Sequence, residues 1–229
     1  MPFIIDFIYL SQMNRLKKFL PIFSYIFHPL FVPVYAVLAF FYLSIPYYDY
    51  NTFYIIFFQV VIITILVPLT FYYLLLSIGA VESVMLEKKN QRIIPLVLHV
   101  ILLYILINKS ITQDNFAALN CFFVASIVST FFAFTLIFFN LKASLHMIGI
   151  TALTAFLLIL SFQLQVRIIG FISILFVICG VVATSRLYMK AHSNMELFLG
   201  SLIGFLPKIF VFLINEKYPN LLQKLIFEL

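Results

Sequence analysis

Of the chain's 229 residues, 65% are hydrophobic and only 10% carry a charge, and the mean hydropathy is +1.16. Such a composition cannot clothe a soluble surface. At about 20 apolar residues per crossing there is room for about seven crossings, which excludes a separate soluble domain. The net charge of +6 is scattered between apolar runs, which excludes a nucleic-acid stripe and fits membrane edges and anion ligands.

The first residues, 2–20, mix Phe, Ile and Leu with Arg15, Lys17 and Lys18. This suits an interfacial N-terminal segment over 1–20, followed by one membrane-embedded domain over 21–229. Met1 to Leu10 has neither a basic start nor a small-residue cleavage site, so no removable signal peptide is expected. Charge-poor stretches then follow at 24–46, 53–79, 93–108, 116–139, 145–163, 168–185 and 195–214. They predict an all-α polytopic bundle of six to seven transmembrane helices. The third, opened by Ile93-Ile94-Pro95, is the shortest. Tyr47, Tyr48 and Tyr50 sit together in the first connection, as interfacial anchors do. Cys121 and Cys179 lie deep in apolar runs and form neither a disulfide pattern nor a zinc pattern.

Ionisable groups are costly in a bilayer and tend to mark a wet interior. Three clusters interrupt the apolar character: Glu87 to Arg92, Lys142 to His146, and Ser185-Arg186 through His192 to Glu196. Two apolar stretches separate each cluster from the next, and an even number of crossings puts all three on one face. The candidate site therefore contains Lys89, Arg92, Lys142, Ser144, His146, Arg186, Lys190, His192 and Glu196.

If the last cluster runs into helix, His192 and Glu196 are i and i+4 on one face, and the carboxylate can hold one ring nitrogen. Gly200 and Gly204 continue that stripe at the spacing that lets a neighbouring helix approach closely. His28 and His99 have no charged sequence neighbours and read as interior or interfacial residues. Lys208 lies about 18 Å along a helix from Glu196 and reads as extending toward the opposite face, outside the site.

Guanidinium forks match phosphate oxygens and neutralise charge that builds on them. One imidazole can attack phosphorus while another gives a proton to the departing alkoxide. No carboxylate cluster for magnesium and no Cys/His spacing for zinc accompanies them in the sequence. These residues point to metal-independent phosphoryl transfer without a cofactor, with a lipid phosphate as substrate.

The motifs resemble those of the type 2 phosphatidic acid phosphatase superfamily, the membrane lipid phosphatases that share a core with vanadium haloperoxidases. The family's third motif is Ser-Arg-x5-His-x3-Asp, and this chain has Ser185-Arg186, His192 and Glu196 at the same spacing. Ala143-Ser144-Leu145-His146 is similar to its second motif, Pro-Ser-Gly-His. Lys89, Arg92 and Pro95 follow the residue order of its first motif, Lys-x6-Arg-Pro, at compressed spacing. The likeness spans about 85–205. The chain departs from the family at Leu145, which replaces Gly, at Glu196, which replaces Asp, and in the two stretches between the first and second clusters.

The resemblance implies that His192 is a nucleophile forming a phosphohistidine, oriented by Glu196, with His146 as general acid. Arg186, Ser144, Arg92, Lys89, Lys142 and Ser185 would hold the phosphate. Phosphatidate, phosphatidylglycerophosphate and polyprenyl diphosphate all fit. Arg15, Lys17 and Lys18 share the parity of the motif face, which favours a cytoplasmic site by the positive-inside rule. The family works mostly on the outer face of the bacterial cytoplasmic membrane, and an outward site is the expectation taken here. A catalytically silent membrane protein that binds lipid phosphate or assists assembly is the alternative, favoured by Leu145, Glu196 and the altered first motif. A small-anion transporter is a more distant one, since the cations gather on one face.

Overall fold

A computed structural model describes residues 19–44, 47–80 and 89–218, without the side chains of Lys89, Asn90 and Gln113. Residues 1–18 of the expected interfacial segment, and Glu87 and Lys88 of the first cluster, lie outside the described residues.

The described residues form helices joined by short turns and loops, with no strand among them. A helical run over residues 19–26 (α1) passes through a 3-10 turn, Pro29–Phe31, into α2, Val32–Leu43. The remaining helices are α3 (Tyr50–Ser77), α4 (Ile93–Lys109), α5 (Gln113–Phe138), α6 (Leu145–Gln163), α7 (Ile169–Tyr188) and α8 (Asn194–Lys217). Six helical stretches are long and apolar enough to cross a membrane, and the 17-residue α4 is shorter. Helices satisfy every backbone polar group within their own segment, the condition that a hydrocarbon surround imposes. The protein is an all-α polytopic bundle, and its composition and spans are those of an integral membrane protein.

Prolines set its irregularities. Pro29 disfavours helical backbone at the preceding residue, and His28 is accordingly extended at φ −66°, ψ 141°. The first span therefore breaks at His28 and restarts as α2. Pro68 offers no N–H to the Thr64 carbonyl, and the turn before it widens into a π-helical segment, Ile62–Leu66.

Helices α5, α6 and α8 form the centre. α6 is the most enclosed of the spans, with Ile150, Ala155, Phe156 and Leu160 almost wholly buried. It packs most extensively on α8, and the two glycines of α8 are the reason. A Cβ at Gly200 would stand 2.7 Å from the Ser144 carbonyl oxygen, and one at Gly204 would collide with Thr151 Oγ1 and the Ile148 carbonyl. The backbones approach closely enough for the Ser144 amide to donate to the Glu196 carbonyl at 3.0 Å. The close-packing stripe expected at Gly200 and Gly204 is thus the seam that joins the second and third sequence clusters.

Candidate functional site

The third sequence cluster owes its spacing to a helix end, a turn and a helix start. α7 ends with the Ala191 amide donating to the Arg186 carbonyl and the Lys190 amide to the Leu187 carbonyl. Lys190 takes a left-handed φ of 52°. This is a Schellman termination with a lysine where glycine is commoner. It leaves Lys190 exposed and reverses the chain so that His192 follows at once.

Ser193 then caps α8. Its hydroxyl accepts from the Glu196 amide at 3.3 Å, while its own amide donates to Glu196 Oε2 at 3.3 Å. This reciprocal capping box fixes the carboxylate, and the same Oε2 lies 2.7 Å from His192 Nδ1. Since a carboxylate only accepts, His192 donates through Nδ1 and keeps the lone pair on Nε2.

His192 has a side chain 4% exposed and lies on the wall of a cavity of about 690 Å3. Burial, aided by the charges of Arg186 and Arg92, pushes its pKa down to about 4, against the raising influence of Glu196. The ring is therefore neutral at physiological pH, the state a nitrogen nucleophile requires.

Arg92, His146 and Arg186 line the same cavity. The sequence places them far apart, and the fold gathers one from each cluster as the parity argument expects. Arg92 is buried just before α4, and that burial lowers its pKa while Glu196 opposes the shift. Arg186 is 8% exposed. Its Nη1 meets only the Met189 sulfur at 3.8 Å, and its Nε has no hydrogen-bond partner among the described residues. Buried guanidinium donors without acceptors are rare in proteins, and these suit an anion in the cavity.

His146, in the first turn of α6, places Nε2 3.1 Å from the Ser24 carbonyl. A carbonyl cannot donate, so Nε2 carries a proton and Nδ1 is the nitrogen left for chemistry. Nothing in the chain's motifs points to Ser24, which sits on α1, more than a hundred residues away.

Other expected residues take different positions. Ser144 is fully buried, its amide is engaged by Glu196, and its hydroxyl has no partner among the described residues. It stands behind the cavity wall, not on it. Ser185 is also off the wall, since its hydroxyl bonds the Leu20 carbonyl and the Ser24 hydroxyl, each at 2.7 Å. It ties α1 to α7. The Lys142 ammonium reaches Glu196 Oε1 at 3.7 Å and so supports the carboxylate from outside the cavity. The Lys89 side chain lies outside the described residues. Leu145, where the resembled motif has Gly, lines the cavity.

The fold also brings in three residues that sequence reasoning set aside. His28, His99 and Lys208 all line the cavity. Lys208, expected to extend away, is instead 2% exposed, donating to Ser126 Oγ at 2.9 Å and lying 4.8 Å from the Phe122 ring centre. The rest of the wall is mostly apolar, from α2 to α6, so the cavity joins a cationic end to a greasy interior. Such a shape suits an amphiphile with an anionic head.

No family model matches the chain, and neither a curated protein nor a solved structure matches it.

Proposed function

We propose that the protein hydrolyses a phosphate monoester or diphosphate carried by a lipid, through a phosphohistidine on His192. The observation that supports this most is the pairing of a neutral, carboxylate-held His192 with the buried donors of Arg186 on one cavity wall. Arg186 and Arg92 hold the phosphate oxygens and offset the charge that grows on them.

In the first half-reaction the His192 Nε2 lone pair attacks phosphorus, and the bond from phosphorus to the leaving oxygen breaks. The proton on Nδ1 of the His146 imidazolium moves to that oxygen, releasing an alcohol or a lipid monophosphate. The Ser24 carbonyl, accepting from Nε2–H, fixes Nδ1 as the nitrogen that acts, and the second proton enters with the substrate, whose monoanionic phosphate passes it to Nδ1 on binding. In the second half-reaction His146 Nδ1 takes a proton from water, whose oxygen attacks the phosphohistidine, and inorganic phosphate leaves. Glu196 holds His192 in the reactive tautomer throughout.

No step needs a metal ion. The tails of the substrate lie along the apolar wall of the cavity, and phosphatidate, phosphatidylglycerophosphate and polyprenyl diphosphate remain the candidate substrates. The protein works in the bacterial cytoplasmic membrane with the site facing outward.

The test is inorganic phosphate release from a panel of these lipids by purified protein in detergent, with EDTA present. Release by the wild type and none by His192→Ala supports the reading. Turnover that survives His192→Ala sinks it. Silence of folded wild-type protein across the panel leaves the cationic cavity as a binding site for lipid phosphate.

A further inference from the structure

The break in the first span carries a residue with no role in the mechanism above. His28 precedes Pro29, and its extended backbone turns the ring into the cavity shared by Arg92, Arg186, His146 and His192. Its Nδ1 accepts from the Leu30 amide at 3.3 Å. An amide only donates, so Nδ1 holds a lone pair and the proton of the ring sits on Nε2. His28 is thus held as a neutral imidazole with one free donor, which is a different state from the imidazolium that a general acid needs.

The ring also stands edge-on to His146, with centres 5.1 Å apart and planes at 87°. In an in-line displacement the nucleophile and the leaving oxygen lie on opposite sides of phosphorus. The leaving oxygen lies beside His146, and His28, packed on His146, is on that side too.

From this juxtaposition we infer that His28 is a further catalytic residue, whose Nε2–H donates to the leaving oxygen as the phosphorus–oxygen bond breaks. It rests on the phosphatase reading. His28 keeps its proton throughout, and the proton that ends on the leaving oxygen comes from His146. The hydrogen bond strengthens as charge develops on that oxygen, so its contribution falls on the transition state.

The donor matters only where the leaving oxygen is a poor leaving group. Dioctanoyl phosphatidate expels an alkoxide, whereas p-nitrophenyl phosphate expels a stabilised phenolate. His28→Leu should therefore lower kcat on the phosphatidate by about 100-fold, the scale of one lost oxyanion donor, and change the nitrophenyl rate by less than about 3-fold. The preserved nitrophenyl rate also shows that the variant is folded. His28→Gln places an amide N–H near the position of Nε2–H and should recover most of the loss.

Equal losses on both substrates, no loss on either, or a Gln variant no better than Leu would overturn the role of His28. The phosphatase reading would survive those results so long as the wild type is active and His192→Ala is not. Failure of the folded wild type to release phosphate from the nitrophenyl ester and from every lipid of the panel would overturn the reading and this inference together.

Discussion

His192 Nδ1 and Glu196 Oε2 lie 2.7 Å apart, and the oxygen they share is also the acceptor of the Ser193 capping amide. The carboxylate that starts the last helix is therefore the one that orients the candidate nucleophile. A glutamate at this position reaches back to both groups, which accounts for its place here where the resembled motif has aspartate. Removing the charge should weaken His192 as a nucleophile and lower its pKa, because Glu196 raises it. Glu196→Gln should reduce kcat by about 100-fold or more with little change in KM. Steady-state kinetics on the best lipid phosphate would check this.

The pH dependence follows from the same ring. Burial brings the pKa of His192 from 6.5 to about 4, so the folded protein holds it neutral where the unfolded chain is protonated. Between those values the unfolded state binds more protons, and this group's contribution makes stability fall as pH falls from 6.5 toward about 4. If His192 is the nucleophile, as proposed, the acidic limb of kcat/KM should sit near pH 4, since its ring loses the lone pair only there. In Glu196→Gln the limb should move further down. A limb left near 6.5 in the wild type would show that a different group governs it.

Glycines on α7 and α8 should respond with opposite signs. A Cβ at Gly204 meets the Ile148 backbone and Thr151, while one at Gly180 meets nothing within 4 Å. Gly204→Ala should destabilise by about 1 to 3 kcal/mol through overpacking. Gly180→Ala should stabilise by about 0.4 to 1 kcal/mol, since alanine reduces the freedom of the unfolded chain. Thermal unfolding in one detergent compares the two directly. Gly204→Ala should also cost activity, because the displaced seam carries the bond from the Ser144 amide to the Glu196 carbonyl.

Arg186 offers a test of anion recognition that does not depend on turnover. Vanadate mimics the five-coordinate phosphorus and should protect the wild type against thermal unfolding. The fork of a guanidinium gives parallel donors that an ammonium cannot, so Arg186→Lys should weaken protection by about 10-fold or more. An unchanged response would place the anion elsewhere.

Much of this was legible in the sequence because the bilayer punishes polar residues. The apolar stretches named the helices to within a few residues, and α6 begins at Leu145 and ends at Gln163 as read. Parity of crossings then placed Arg92, His146, Arg186 and His192 on one face. The pairing of His192 with Glu196 was legible too, though its cause was not, because His192 precedes the Ser193 cap and the capping box, not helical spacing, turns Glu196 back to the ring. What escaped the reading depended on long-range packing. His28 is made part of the site by a ring contact with His146, and Ser24 by a carbonyl aimed at the same ring. Ser144 and Ser185 were expected, through the resemblance, to hold phosphate, but their hydroxyls lie off the cavity wall, and which side of a helix end a short side chain faces is set by neighbours.

Lys208 shows the same dependence and gives the last prediction. Its ammonium donates to Ser126 and lies over the Phe122 ring, and no carboxylate pairs with it among the described residues. A lysine at the centre of a membrane helix costs about 2.5 to 3.5 kcal/mol on insertion scales. The hydrogen bond and the ring contact return only part of that, about 1 to 3 kcal/mol together. Methionine has nearly the same length and no charge to bury. Lys208→Met should therefore raise stability by about 1 kcal/mol, whereas Lys208→Ala, which also opens space beside Phe122, should gain less or lose. Thermal unfolding of the purified variants decides between them. A clear loss in Lys208→Met would mean that the ammonium is held by interactions stronger than one hydroxyl and one aromatic face.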